Sequence, residues 1–296
     1  MRLKQLPKFE YIAPKDVKEV CSLLHQHQDR AKIIAGGTDL LINMKHRIMT
    51  PQVVIGLKNL SDLNYFSYRE SQGLKLGTLV THQSIVDSPI IRERFGGLWA
   101  ACSKIGTPQI RSMGTLGGNL CNAAPSADSA PPLIAFQAVV KVIGLNGERS
   151  LPLEEFFIGP GKTALQNDEI LVEIDVLYLA PRSGLVYVKL PARTAIDIAA
   201  VGVAVCITLD AKNETCHEAR IVLGAVAPTP IRAWRAEEAM RGEKLDDPVI
   251  HKAAHIASEE SRPISDVRSS ATYRTEMVKV LTKQAIRQAI VQAKSV

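Results

Sequence analysis

The sequence predicts an α+β protein of two units, and three observations carry that reading. Over the first part of the chain extended and helical patterns alternate. The stretch Ala180-Pro181-Arg182-Ser183-Gly184 has the composition of a linker. Beyond it, apolar segments follow one another as antiparallel strands before helices take over. A length of 296 residues suits two domains of ordinary size, each able to bury a core, with the units expected at 1–178 and 179–296.

The first elements read strand, turn, helix. Phe9-Glu10-Tyr11-Ile12 is extended, and Ala13-Pro14-Lys15-Asp16 turns into a helix carrying Val17, Val20, Leu23 and Leu24 on one side. Lys32-Ile33-Ile34-Ala35 is a strand stopped by Gly36-Gly37, with Thr38 as the expected N-cap of a helix through Leu40, Leu41 and Met44. Strands at 51–57 and 73–77 and a helix from Thr81 complete a βαβ-like opening. The section from Gly114 to Pro132 is so rich in Gly, Ala, Pro, Ser and Asn that it reads as a long functional loop. Strands at 138–144 and 169–177 end the first unit. In the second, strands are expected at 185–190, 199–209 and 218–226, and helices at 233–240, 249–258 and 269–293. In the last helix Tyr273, Met277, Val280, Leu281 and Ile286 keep the spacing of an ordinary core stripe.

Bulk properties narrow the function classes. A net charge of +6 is modest for this length and does not argue for nucleic acid; Lys45-His46-Arg47 reads as a solvated helix end. The start, Met1 to Pro7, has no apolar run behind it, and the longest apolar stretch, Ile198 to Leu209, is too short to cross a bilayer. Membrane insertion is therefore not expected. Five cysteines (21, 102, 121, 206, 216) form no CxxC pair, which favours free thiols in a reducing, cytoplasmic compartment.

Two glycine pairs, Gly36-Gly37-Thr38-Asp39 and Gly117-Gly118-Asn119, each follow an extended segment. Glycine lets backbone approach a ligand closely, and successive amides beside a helix start can receive phosphate. Either pair alone is more readily a tight turn; two in one domain suit a pyrophosphate cofactor. Other patterns are weaker. Gly159-Pro160-Gly161-Lys162-Thr163-Ala164 contains GKT, but a P-loop needs glycine where Phe156 stands. His251, His255 and Glu259 share a helix face of metal-capable spacing with no fourth ligand nearby, so a solvated face is expected and no metal site. His25 and His27 point different ways, and Cys121 reads as a small buried hydrophobe.

The text around the second pair is more specific. Pro108-Gln109-Ile110-Arg111-Ser112-Met113-Gly114-Thr115-Leu116-Gly117-Gly118-Asn119-Leu120, followed by Ala124-Pro125-Ser126-Ala127-Asp128, resembles the FAD-binding medium subunits of the molybdenum hydroxylase family, the xanthine, carbon monoxide and nicotinate dehydrogenase group. Ile33-Ile34-Ala35-Gly36-Gly37-Thr38-Asp39-Leu40 stands where that family keeps its other pyrophosphate loop. Past the linker, Tyr187-Val188-Lys189-Leu190 with Arg193 and Asp197-Ile198-Ala199 is similar to the opening of the family's C-terminal domain. Gly224 to Arg232 and Ser270-Ala271-Thr272-Tyr273-Arg274 resemble its later parts.

The resemblance implies an FAD-binding fold of the PCMH (vanillyl-alcohol-oxidase-like) type, followed by a CO dehydrogenase flavoprotein C-terminal-like domain of antiparallel sheet and helices. It places FAD in this chain, with its diphosphate on the backbone of Ile33, Ile34, Ala35, Gly36, Gly37, Thr38, Asp39 and Leu40 and of Thr115, Gly117, Gly118 and Asn119. Asp128 would accept from ribityl or ribose hydroxyls, and Ile170 and Lys189 fall at further FAD-contacting positions. A lysine near the flavin could stabilise its reduced anion, or Lys189 could simply form a surface salt bridge. No catalytic acid or base is implied. A [2Fe–2S] small subunit and a molybdopterin large subunit are the implied partners, in a dimer of heterotrimers. This chain would pass electrons to NAD or another acceptor, with xanthine or another N-heterocycle as the substrate of the complex. The cysteines are too scattered for an iron–sulfur cluster of its own. The rival readings are a stand-alone flavoprotein oxidising NADH and a non-redox protein binding a phosphorylated ligand.

Overall fold

A computed structural model describes residues 5–70, 72–191, 198–212 and 214–295. Residues 1–4, Arg193 and Asp197, which entered the readings above, lie outside the described residues.

The chain opens with a small parallel sheet in which the third strand takes the middle. Val53–Gly56 lies between Glu10–Ile12 and Ala31–Ile34, parallel to both. Helix Val17–His27 makes the first crossover; Asp16 caps it by accepting from the Glu19 amide at 2.8 Å. Its Val20, Cys21 and Leu24 bury a core with Val53, Ile55 and Leu57 that extends to Ile170 and Val172 of the next sheet. That second sheet is antiparallel, in the order Phe66–Arg69, Gly73–Gly77, Ile170–Val176, Val139–Gly144, Gly147–Pro152. The two outer strands were not expected from sequence. Both are mostly exposed: Gly147–Pro152 is largely polar, and Phe66-Ser67-Tyr68-Arg69 alternates over only four residues, too few to mark a strand.

The section from 114 to 132 is not the structureless loop its composition suggested. It holds helices Leu116–Asn122 and Ala130–Ala135, the latter admitted by prolines in its first turn. Helices Pro89–Arg94, Gly96–Ser103 and Pro108–Met113 precede them. Gly159 to Thr163 is the turn of a small antiparallel hairpin, Phe157–Gly159 against Lys162–Thr163.

In the second half Ser183–Pro191, Ala199–Leu209, Cys216–Gly224 and Ile231–Arg232 form an antiparallel sheet in sequence order. All eleven residues of Ala199–Leu209 are buried, because the strand is covered on both faces. Its Val201, Val203, Val205 and Ile207 face helices Asp247–Glu260 and Ala271–Ser295. Its Ala204 and Cys206 join the core of the first half, with Phe95, Leu98, Leu120 and Leu133. Leu185, Tyr187 and Val222 do the same, so one hydrophobic core is built from both halves of the chain.

Candidate functional site

A cleft of about 720 Å³ opens where the parallel sheet meets the helices inserted between strands Gly73–Gly77 and Val139–Gly144 of the antiparallel one. Its size lies within the usual range for small-molecule and cofactor sites. Both glycine turns line it.

The first turn leaves strand Ala31–Ile34 and enters helix Leu40–Lys45. The N-cap is Asp39 rather than the expected Thr38, and no side chain caps the helix. Thr38 Oγ1 instead donates to Asp39 Oδ2 at 3.5 Å. Gly37 sits at φ +72°, in the left-handed region that favours glycine. Gly36 is needed for a different reason: a Cβ there would fall 1.9 Å from the Met113 carbonyl oxygen. The close approach at Gly36 is therefore first to the neighbouring loop, and it fixes the two turns against each other. Among the described residues, the amides of Gly36, Gly37, Thr38 and Asp39 donate to no protein acceptor. Four donors on one turn beside a cleft favour an anionic ligand.

The second turn is built differently. Thr115 caps helix Leu116–Asn122 by accepting from the Gly118 amide at 3.0 Å. Leu116 donates to Val80 O, Gly117 to Thr78 O and Asn119 to Thr115 O, at 2.8, 3.0 and 2.9 Å. No amide of 116–119 is left over, contrary to the picture of two equivalent phosphate-binding loops. A Cβ at Gly117 would lie 1.7 Å from Thr78 Oγ1, so this glycine serves packing. What the second turn gives the cleft is bare backbone surface, together with the side chain of Asn119, whose Oδ1 accepts from Ser129 at 2.6 Å.

Ile33 to Leu40, Thr115, Gly117, Gly118, Asn119, Asp128 and Ile170 all line this one cleft. Ile33, Ile34, Ile105, Leu165, Ile170 and Leu171 give it an apolar wall. Lys189 alone of the sequence-predicted residues does not line it. Its ammonium lies behind Asp128, donating to Asp128 Oδ2 at 2.7 Å and to Lys104 O at 3.1 Å. Tyr187 donates its hydroxyl to the other oxygen, Oδ1, at 2.6 Å. Burial pushes the Asp128 carboxyl up, opposed by Lys189, Tyr187 and Lys104. Burial and the Asp128 charge hold Tyr187 well above the usual phenol range. Lys189 is thus in a salt bridge, but a buried one: the side chains are 4% and 8% exposed.

His82 is one of several lining residues that sequence reasoning missed. It follows the N-cap Thr81, whose hydroxyl accepts from the Ser84 amide. The ring is 2% exposed and its Nδ1 has no partner among the described residues. Burial, then the Arg111 charge, lowers its pKa to about 4, so the imidazole is neutral. Nothing in sequence distinguishes it from any helix-start histidine. Cys121 also lines the cleft, its thiol pushed up to about 12 by burial, as an inert small hydrophobe requires. The other histidine candidate stays on the surface: His255 meets Glu259 at 3.4 Å with both side chains about half exposed.

Taken together, fold and cleft offer a site for an anionic, partly apolar ligand between a free-amide turn and a packed helix start. Comparison with known proteins gives that ligand a name. Residues 7–176 match the model of the "FAD binding domain in molybdopterin dehydrogenase", and residues 186–289 that of the "CO dehydrogenase flavoprotein C-terminal domain". The xanthine dehydrogenase FAD-binding subunit of Escherichia coli O157:H7 is 33% identical over 268 residues, 89% of this chain and 90% of that one. The nicotinate dehydrogenase FAD-subunit of Eubacterium barkeri is 32% identical over 280 residues, 93% and 94% of the two chains. A solved structure of carbon monoxide dehydrogenase from Hydrogenophaga pseudoflava superposes with a TM-score of 0.92 at 35% identity, covering 96% of this chain and 98% of its own. This chain belongs to the FAD-binding medium subunits of the molybdenum hydroxylase family, and it is an oxidoreductase flavoprotein subunit.

Proposed function

We propose that this chain is the electron-exit subunit of a molybdopterin-dependent dehydrogenase, standing between the [2Fe–2S] clusters of a small subunit and NAD or another soluble acceptor. A molybdopterin large subunit carries the hydroxylation, with xanthine or another N-heterocycle as substrate. Three-chain units pair into a dimer in the cytoplasm. Flavin chemistry supplies what such a junction needs, since bound FAD exchanges electrons singly or as a pair.

The observation that carries the reading is the cleft itself, which fits FAD by its chemistry. The four unpartnered amides of Gly36 to Asp39 receive the diphosphate. The apolar wall around Ile33, Ile170 and Leu171 takes a ring system and keeps water from it. Asp128, at the cleft wall, accepts from cofactor hydroxyls. None of these side chains exchanges a proton with substrate; the chain orients the cofactor and sets its surroundings. Partner chains are favoured by a second feature. Ile42, Ile48 and Met113 are 50%, 70% and 59% exposed, on the two segments whose Met49 and Ile110 rim the cleft. Exposed apolar side chains grouped beside a site mark a protein contact rather than a free surface.

The test is to purify the chain, record its visible absorption and identify the cofactor released by acid. FAD in about one-to-one amount supports the reading, and anaerobic addition of NADH then tests the acceptor. A colourless chain that refuses added FAD, alone and with its partner subunits, refutes it.

A further inference from the structure

Asp128 holds a buried carboxylate at the cleft wall, in the half of the chain that carries both glycine turns. The two groups that hold it come from the other half. Tyr187 and Lys189 are two residues apart on strand Ser183–Pro191, so both side chains leave the same face. That face points at one carboxylate: Tyr187 Oη donates to Oδ1 at 2.6 Å and Lys189 Nζ to Oδ2 at 2.7 Å. Lys189 is itself pinned by the Lys104 carbonyl at 3.1 Å. An ionised carboxylate has about four acceptor positions, so each oxygen keeps one for a ligand in the cleft.

We propose that Tyr187 and Lys189 are positioning residues for the cofactor, reaching across from the C-terminal segment to fix Asp128 as an ionised acceptor. The inference rests on the FAD reading above and adds a consequence to it. Cofactor affinity and the docking of the C-terminal segment are then linked, because the same carboxylate serves both. Lys189 acts through Asp128, which lines the cleft where Lys189 does not. The other titratable groups facing Asp128 are Lys104, whose ammonium lies 5.9 Å from the Tyr187 ring centroid, and the buried thiol of Cys102. Lys104 is desolvated and repelled by Lys189, which makes it the weaker counter-charge. Once Lys189 is removed, burial dominates and Asp128 takes up a proton at higher pH.

The experiment is FAD affinity of the full chain against pH, from 6 to 9, followed by quenching of flavin fluorescence. The wild-type profile is expected to be flat. Lys189→Met binds more weakly than wild type by a factor that grows as pH falls, up to roughly tenfold, the difference between a hydrogen bond to a charged and to a neutral acceptor. Lys189→Arg restores the flat profile, and Tyr187→Phe weakens binding by a smaller factor. Because Lys189→Met leaves a buried unpaired charge, Asp128→Asn/Lys189→Met serves as the folding control. It regains thermal stability over Lys189→Met, and its affinity is weak and independent of pH. A Lys189→Met protein that tracks wild type at every pH overturns the inference, as does one equally weakened at every pH. A wild-type chain that takes up no FAD under any condition refutes the flavin reading and this inference with it.

Discussion

Replacing Gly36 with alanine puts the added carbon 1.9 Å from the Met113 carbonyl oxygen, 2.6 Å from its carbon and 3.0 Å from Gly114 Cα. All three are backbone atoms, and none can rotate away. A carbon–oxygen contact needs roughly 3.3 Å, so the two turns must part by about 1.4 Å. Forced overpacking of this kind costs about 1–3 kcal/mol. At roughly 2–4 °C per kcal/mol for a chain of a few hundred residues, the melting temperature should fall by about 2–12 °C. The effect on cofactor binding should be larger, because the same displacement separates the free amides of Gly36 to Asp39 from the wall at Thr115 to Asn119. A site loosened by more than about 0.5 Å loses its geometry, and an FAD affinity weakened at least tenfold, about 1.4 kcal/mol, is expected. The assay is thermal unfolding with and without FAD, alongside a flavin titration. Gly118→Ala is the contrast: its Cβ meets the Thr115 hydroxyl at 2.8 Å and otherwise only Ala35 Cβ at 3.9 Å. The Thr115 hydroxyl can yield only by giving up its cap on the Gly118 amide, a cost of about 1 kcal/mol. The helix preference of alanine over glycine, also about 1 kcal/mol, offsets it. Wild-type melting and affinity in Gly36→Ala, or greater damage from Gly118→Ala, would refute the reasoning.

Other perturbations test other parts. His82 has its folded pKa lowered to about 4 from an ordinary 6.5, so its contribution to stability is complete above pH 6.5 and is lost as pH falls through that interval. The loss reaches about 3 kcal/mol by pH 4, and urea titrations of His82→Asn should show a correspondingly shallower acid decline than wild type. In the C-terminal half Arg232 Nη2 meets Glu237 Oε2 at 2.5 Å, and Glu237, 1% exposed, also accepts from the Ile221 amide. Arg232→Met strands that carboxylate and should cost about 3–5 kcal/mol in urea unfolding; an Arg232→Met/Glu237→Gln chain should recover much of it. Ile48→Ser with Met113→Ser should leave FAD content unchanged while weakening co-purification with the partner subunits. Undiminished assembly would remove that rim from the interface.

Much of this architecture is legible in the sequence wherever one residue pattern serves one local cause. The helix of Val17 to His27 announces itself through its apolar stripe and Asp16, and the strand of Ala199 to Leu209 through an unbroken apolar run that only burial on both faces explains. The glycine turns were equally visible, but not the difference between them. Which amides are spent depends on where Thr78 and Val80 come to lie, more than thirty residues upstream. Of the edge strands, Phe66–Arg69 alternates too briefly and Gly147–Pro152 is too polar to be told from a loop. Lys189 could be singled out by resemblance, yet its pairing with Asp128, 61 residues away, is a product of tertiary packing. His82 had no signal, since an orphaned nitrogen is defined by what surrounds it.

The core assembled from both halves bears on how this chain can be divided. Phe95, Leu98 and Leu133 from one side of the junction pack with Leu185, Tyr187, Ala204, Cys206 and Val222 from the other. The seam between the two family segments therefore exists in the covalent chain, between residues 176 and 186, and not in the packing. Cutting there would bare the apolar inner face of each piece, and neither fragment would stay soluble when produced without the other. Exchanging the C-terminal segment between relatives would require co-ordinated changes around Tyr187 and Leu133. For protein engineering, the smallest transferable part is the whole subunit.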